Sequence, residues 1–203
     1  MVRVGFLVEG ECERVLVEHH VKPWAKENNI KIIANIEVGG SGNFKSYNFD
    51  GFLKLCYQHG PDYIIVLTDL DNECVANIKN RIDRPEIDLI CVAKKSLESW
   101  YLADTEAMKC WMPTFQPMQY PELMPKNQQP WDVIAELSGQ HPYRKGRDDP
   151  ARVRGQMGKR KKTEFTTQMI REFNFSLVRA ATHPNCASAK YFVDHLLNFK
   201  NSC

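Results

Sequence analysis

An apolar run rich in β-branched residues, Asp62-Tyr63-Ile64-Ile65-Val66-Leu67-Thr68, ends abruptly in Asp69-Leu70-Asp71. A run of this kind reads as a strand buried on both faces of a parallel sheet. Side chains alternate along a strand, so Asp69 and Asp71, at i and i+2, are expected to point to the same side. Two neighbouring carboxylates repel, and burying them unpaired is costly. A divalent cation is the partner that satisfies both. A helix cap, for a helix expected to begin near Asn72, would account for only one of them. Glu9 closes an earlier apolar run and is followed by Gly10. Three oxygen ligands from two strand ends can hold one or two Mg2+ ions and still leave positions for water and a phosphate. Ligands this hard favour Mg2+ or Mn2+ over zinc. Such a centre serves displacement at phosphorus, with the ion neutralising the phosphate and activating water.

The elements that must position these acids alternate between strand and helix. Residues 2–9 form a first strand, and Gly10 permits a sharp turn into a helix whose apolar face is Val15, Leu16, His19, Val21 and Trp24. Glu11 and Glu13 fall in its first turn, where the helix dipole favours negative charge. Ile30 to Val38 is a second strand, Phe52 to Gln58 a helix, Cys74 to Ile82 another, and Asp88 to Ala93 a fourth strand. A helical segment, Leu97 to Asp104, follows Lys94-Lys95. This alternation predicts an α/β fold: a mainly parallel four-stranded sheet flanked by helices, with a C-terminal helical extension. In such sheets ligands sit beyond the carboxyl ends of the strands. Glu9, Asp69, Asp71 and Glu98 all fall on that edge.

The chain of 203 residues fits an α/β core over 1–111 and a second part over 112–203 packed on it, in one continuous domain. Residues 112–130 carry Pro113, Pro117, Pro121, Pro125 and Pro130 without a clear period and read as a long loop. Helices are expected from Pro130 to Gly139, around Thr163–Phe173 and around Ser188–Phe199. No stretch approaches the ~20 apolar residues that span a bilayer, and Glu9 comes too early for a signal peptide. Seven scattered cysteines with no CxxC pair suit free thiols in a reducing cytoplasm. The tryptophans (24, 100, 111 and 131) read as core, and the histidines form no ligand spacing.

Val8-Glu9-Gly10-Glu11-Cys12-Glu13 and Leu67-Thr68-Asp69-Leu70-Asp71 together resemble the TOPRIM pattern of topoisomerases, primases and OLD-type nucleases. Lys95-Ser96-Leu97-Glu98-Ser99-Trp100-Tyr101-Leu102-Ala103-Asp104 resembles the segment that follows the fourth strand in the small stand-alone DUF4276-like branch. A looser likeness covers Cys186 to Phe192, including Ser188. The resemblance implies a TOPRIM fold, Mg2+ dependence, phosphodiester chemistry on nucleic acid and a setting in bacterial anti-phage defence. Glu9 matches the glutamate proposed as general acid/base or metal ligand, and Asp69 and Asp71 match the metal-binding Asp-x-Asp. Glu13 matches the second glutamate of the nuclease form, which has threonine where this chain has Cys12. Glu98 stands as a further carboxylate of the branch.

The basic segment Arg144, Lys145, Arg147, Arg152, Arg154, Lys159, Arg160, Lys161 and Lys162, with glycines at 146, 155 and 158, suits sequence-independent phosphate contacts. Lys94 and Lys95 stand nearer the acids and suit a scissile phosphate. The expected activity is that of a Mg2+-dependent nuclease on DNA or RNA with water as nucleophile. No tyrosine is placed as in a topoisomerase, and no nucleotide-binding signature supports a primase. Two other readings remain: a non-catalytic subunit or sensor docking on an ATPase partner, and a small-nucleotide phosphoesterase roofed by the 112–130 loop. The oligomeric state, including a homo-oligomer, stays open.

Overall fold

The computed structural model describes residues 1–45, 48–125, 128–139 and 156–201, with the side chains of 45, 156–160 and 201 excepted. Its centre is a four-stranded parallel sheet of β1 (Val2–Val8), β2 (Ile30–Glu37), β3 (Tyr63–Asp69) and β4 (Leu89–Ala93), in the order β2-β1-β3-β4. The chain runs outward from β1 to β2, then crosses back to lay β3 on the other side of β1. The switch point, where ligands of such sheets gather, therefore lies between the carboxyl ends of β1 and β3.

Alternation along each strand divides the core between two faces. Val4, Phe6, Val8, Ile65, Leu67, Cys91 and Ala93 enter the larger cluster, while Leu7, Ile64, Val66 and Val92 enter the smaller. On β2 the side switches: Ile32 packs with the larger cluster and Ala34 with the smaller. A register shift opposite Val4/Gly5 accompanies that change. Gly5 has a packing reason, since a Cβ there would stand 2.5 Å from Cys56 Sγ.

The helices on the larger cluster begin with α1 (Glu11–Leu16), which continues through a π-helical turn at Val17–Val21 into α2 (Lys22–Glu27). Pro23 explains the widened turn. It lacks an N–H and its ring crowds the carbonyl four residues back, which a π turn relieves. On the other face lie α3 (Asn48–Gln58) and α4 (Val75–Ile82). After β4 come α5 (Glu98–Ala103), α6 (Thr105–Trp111), α7 (Pro130–Gly139), α8 (Gln156–Arg171), α9 (Leu177–Thr182) and α10 (Ala187–Asn198). Residues of both parts of the chain share the larger cluster, Phe165, Phe175 and Phe192 among them. Residues 112–125 and 128–129 form no helix or strand, as their prolines predict. Among the described residues no helix is long and apolar enough to cross a membrane.

Several boundaries differ from those the sequence predicts. The α3 helix starts at Asn48 rather than Phe52, its extra turn adding buried Phe49 at i−4 from buried Leu53. The α8 helix starts at Gln156 rather than Thr163, because lysine, arginine and glutamine sustain a helix without an apolar stripe. The short helices α6 and α9 are too brief for periodicity to reveal. Each is marked instead by a cap: Asp104 accepts from Ala107 N at 3.3 Å and Ser176 from Arg179 N at 3.3 Å.

The segment from Glu98 to Asp104 mostly holds the two parts of the chain together. Trp100 Nε1 donates to Ser188 Oγ at 2.8 Å. Fully buried Asp104 accepts from Ser176 N at 2.7 Å and from both Arg179 Nε and Nη2, at 2.8 and 2.9 Å. Removing one partner of such a buried pair strands the rest. Asp104→Ala is expected to cost about 3 kcal/mol, roughly 6–12 °C in melting temperature by thermal denaturation. Glu18→Ala, at an exposed pair with Lys22, should cost under ~0.5 kcal/mol.

Candidate functional site

At the switch point the end of β1 meets the end of β3. The Glu9 side chain turns towards β3, where its Oε2 accepts from Thr68 Oγ1 at 2.5 Å and from Asp69 N at 3.1 Å. Glu9 and Asp69 therefore share one rim of the sheet, as the sequence predicts. Thr68, buried within β3, orients Glu9 through this contact, a role with no signal in the sequence. Gly10 differs from expectation in its reason. Its backbone is extended, which any residue adopts; what glycine supplies is room, since a Cβ would stand 3.3 Å from Glu13 Oε2. That oxygen accepts from Gly10 N at 3.0 Å, folding buried Glu13 back over the start of α1 and towards the sheet.

Asp69, half-buried, accepts from Leu97 N through Oδ1 at 2.8 Å. This ties the end of β3 to the start of α5 and sets Glu98, only 3 % exposed, beside the other acids. Glu98 Oε1 lies 3.2 Å from Lys162 Nζ, and its Oε2 is buried with no hydrogen-bond partner. Asp71 departs from the strand-alternation expectation. The strand ends at Asp69, and Asp71 sits beyond it at φ +50°, in the left-handed region that aspartate tolerates better than most residues. It is exposed, yet its charge still acts within reach of Glu9, Glu98 and Lys162.

Crowding shows in the protonation of these groups. Burial, followed by the charges of Glu98 and Glu9, pushes Glu13 up to about 7. Burial and the neighbouring Glu13, Glu98 and Glu9 hold Asp69 well above the ordinary aspartate range. Desolvation and Glu9 raise Asp71. Burial works against the Lys162 ammonium, but Glu98 and Asp69 outweigh it and the group is held above its ordinary value. Burial also pushes the Cys12 thiol up to about 12, so at neutral pH it is a protonated neighbour that packs 3.8 Å from Thr163 Oγ1.

Lys162 was not among the residues expected to line the acids, although it belongs to the basic segment. The signal was its phase. Residues 162, 165, 166 and 169 lie at i, i+3, i+4 and i+7, and Phe165, Thr166 and Met169 are buried. Lys162 thus lies on the inward stripe of α8, with its ammonium 5.8 Å from the centroid of the Trp131 ring. The other expected phosphate contacts fare differently. Lys95 Nζ turns to the proline-rich loop, donating to Pro125 O at 3.1 Å and Gln128 O at 3.5 Å, away from the acids. Lys94 faces Glu122 at 4.0 Å. Lys161 is half-buried on α8. Lys159 and Arg160 lie on α8 with their side chains outside the described set, and Arg144, Lys145, Arg147, Arg152 and Arg154 lie outside the described residues.

The donor set has the chemistry of a hard-cation site: carboxylate oxygens from the end of β1, α1, β3 and α5, one of them orphaned and buried, against a single ammonium among the described residues. The geometry is not preassembled. Among the described residues no three histidine, cysteine, aspartate or glutamate side chains already converge to hold an ion. The reason is visible in their bonds, because Glu9, Glu13 and Asp69 each commit one oxygen to a backbone N–H. Binding an ion would draw on their other oxygens and on Glu98 Oε2.

Since the fold favours a neutral Asp69, Asp69→Asn is expected to stabilise the metal-free protein at pH 8 by about 1 kcal/mol, roughly 2–4 °C, while its Oδ1 keeps the Leu97 bond. A fall in melting temperature would show that the Asp69 charge is fully balanced by Lys162.

Comparison of the chain with models of known families, with characterised proteins and with solved structures finds no match in any of the three.

Proposed function

We propose that the chain is a metal-dependent nuclease of the TOPRIM type, hydrolysing phosphodiester bonds of DNA or RNA, with bacterial anti-phage defence as its setting. The observation that carries this reading is the meeting of acids from β1, α1, β3 and α5 at the switch point of a parallel sheet. Glu13, Asp69 and Glu98, with Asp71 at the open side, are the residues that would hold Mg2+ or Mn2+. When bound, that ion would supply charge neutralisation of the phosphate and activation of water. Glu9, fixed by Thr68 and the Asp69 N–H, would complete the metal site or take a proton from the attacking water. Lys162, whose ammonium pairs with Glu98, would face a phosphate brought among these acids.

Two observations favour a second, non-catalytic reading. Lys162 already supplies a cation to Glu98, and the donors have not converged, as in a retained fold that serves as a subunit or sensor beside an ATPase.

Cleavage assays with single- and double-stranded DNA and RNA in Mg2+ or Mn2+ separate the two. The wild type is expected to cut, and Asp69→Asn to lose at least about a hundredfold. Equal cutting by both, or none by either on any substrate, would set the nuclease reading aside. Protonation gives an independent check. Glu13 holds its proton up to about pH 7 in the fold, against an ordinary value of 4.5. The native state thus binds the extra proton between those values, and metal-free stability falls as pH rises through that window. An ion must displace this proton. The rise in melting temperature on adding Mg2+ or Mn2+ is therefore expected to be larger at pH 8 than at pH 6, by differential scanning calorimetry. A pH-independent rise would place the ion elsewhere.

A further inference from the structure

One strand out from Asp69, the same rim opens into a second site. Asp69 pairs with Ala93 across β3 and β4, and Lys94 follows immediately at the outer end of β4. Since β4 is the edge of the sheet, its outer side is left to α4 and α10, which flank it without closing over it. Between them lies a cleft of about 290 Å³, lined by Val75, Lys79, Ile90, Val92, Lys94, Ala187, Ser188 and Tyr191.

The lining has an unusual balance. Val75, Ile90, Val92 and Ala187 give it an apolar floor, while the titratable groups facing it are two lysines and a tyrosine. Lys79 makes no ion pair among the described residues. Its ammonium lies 5.1 Å from the Tyr191 ring centroid and 3.5 Å from the Tyr191 hydroxyl. The nearest carboxylate to Lys94 is Glu122, whose Oε2 stands 4.0 Å from the ammonium, a long contact, while its Oε1 accepts from Ser188 N, Ser188 Oγ and Cys186 Sγ. Ser188 is spent in the same network, accepting from Trp100 Nε1 and Lys94 N. Tyr191 is backed by His195, ring centroids 3.8 Å apart, and forms a fixed wall. The roomier cleft beside α3, about 530 Å³, contrasts with this. Its Lys54 and Arg84 are matched by Asp50 and Glu86, with Arg84 Nε 3.3 Å from Asp50 Oδ1.

Two ammonium groups over an apolar slot, Lys79 with no ion pair among the described residues and Lys94 with only a 4.0 Å contact, call for a ligand with a doubly charged anionic head and a flat or apolar body. The volume falls near the ~300 Å³ lower end for small-molecule sites, so the body is small. A phosphate is the head that lysines bind as point charges. We propose that this cleft binds one nucleotide, its phosphate on Lys79 and Lys94 and its base and sugar on Val75, Ile90, Val92, Ala187 and the edge of Tyr191. In so far as it deepens the nuclease reading, which it rests on only for the source of the ligand, a strand lying over Asp69 would deliver its neighbouring nucleotide here. A free nucleoside monophosphate has the same chemistry.

The test is calorimetric titration of the full chain with AMP and with inorganic phosphate in the presence of EDTA, so that metal and cleavage play no part. AMP is expected to bind more tightly than phosphate. Lys79→Gln, a half-buried helix-surface position whose folding is checked by circular dichroism, should weaken AMP about tenfold. Val75→Trp, which fills the floor and leaves both lysines, should abolish the preference for AMP over phosphate. Phosphate binding as tightly as AMP, AMP binding unchanged in Lys79→Gln, or no binding of AMP would each overturn the proposal. A non-cleavable oligonucleotide then identifies the source. Weakening of both ligands by Lys79→Gln marks a strand subsite, and weakening of AMP alone marks a free-nucleotide site. Tight AMP binding without any nuclease activity would remove the nuclease reading and leave the cleft.

Discussion

Like charges held close together where water is scarce form the constraint on which the rest of this structure turns. Glu9, Glu13, Asp69 and Glu98 come from four separate parts of the chain, and their charges, with burial, disturb the protonation of Glu13 and Asp69. Folding alone gives no reason to gather them, since burying acids without partners costs stability. The backbone meets part of that cost. The N–H groups of Gly10, Asp69 and Leu97 each take one carboxylate oxygen, and Thr68 takes part of Glu9. Lys162 offsets more of it from α8. The remainder is strain of an electrostatic kind, which clusters at functional sites.

The second half of the chain is what closes this rim. Asp104 anchors α9 through Arg179 and Ser176, and Trp100 anchors α10 through Ser188. Glu122, reaching in from the proline-rich loop, caps the start of α10 and faces Lys94. Lys95 holds that same loop by its carbonyls. With α8 packed over α1, Lys162 then points inward beside Glu98. The acids thus lie at the carboxyl rim of the sheet, and among the described residues Lys162 faces them, Lys95 is bound to the loop and Lys94 lines the cleft beyond β4.

Much of this was legible in the sequence because parallel strands announce themselves. Buried on both faces, they appear as continuous apolar runs, so all four were found, and with them the rim on which Glu9 and Asp69 meet. What the pattern could not carry was direction past a strand's end. Asp71 lies two residues past the end of the strand, in a left-handed turn, where the i, i+2 argument no longer holds. Lys162 was hidden for a different reason. Starting α8 seven residues late removed the turn that shows it in phase with Phe165 and Met169. Trp100 and Asp104 stand beside Glu98 in the sequence, yet their partners lie some seventy or more residues away, at Ser176, Arg179 and Ser188, and no spacing reports such pairings. The short helices α6 and α9 were missed because six or seven residues hold too little periodicity to distinguish them from a loop.

The central claim is that these acids exist to hold a hard divalent cation. Anomalous diffraction from crystals of the full chain soaked in Mn2+ tests it most directly. The account predicts a manganese peak at the switch point, coordinated by Asp69 together with Glu9, Glu13 or Glu98, with the Glu98 oxygen that now lacks a partner drawn towards it or towards its bound water. Crystals that take up no manganese there, with Lys162 still paired to Glu98 at saturating metal, would contradict it.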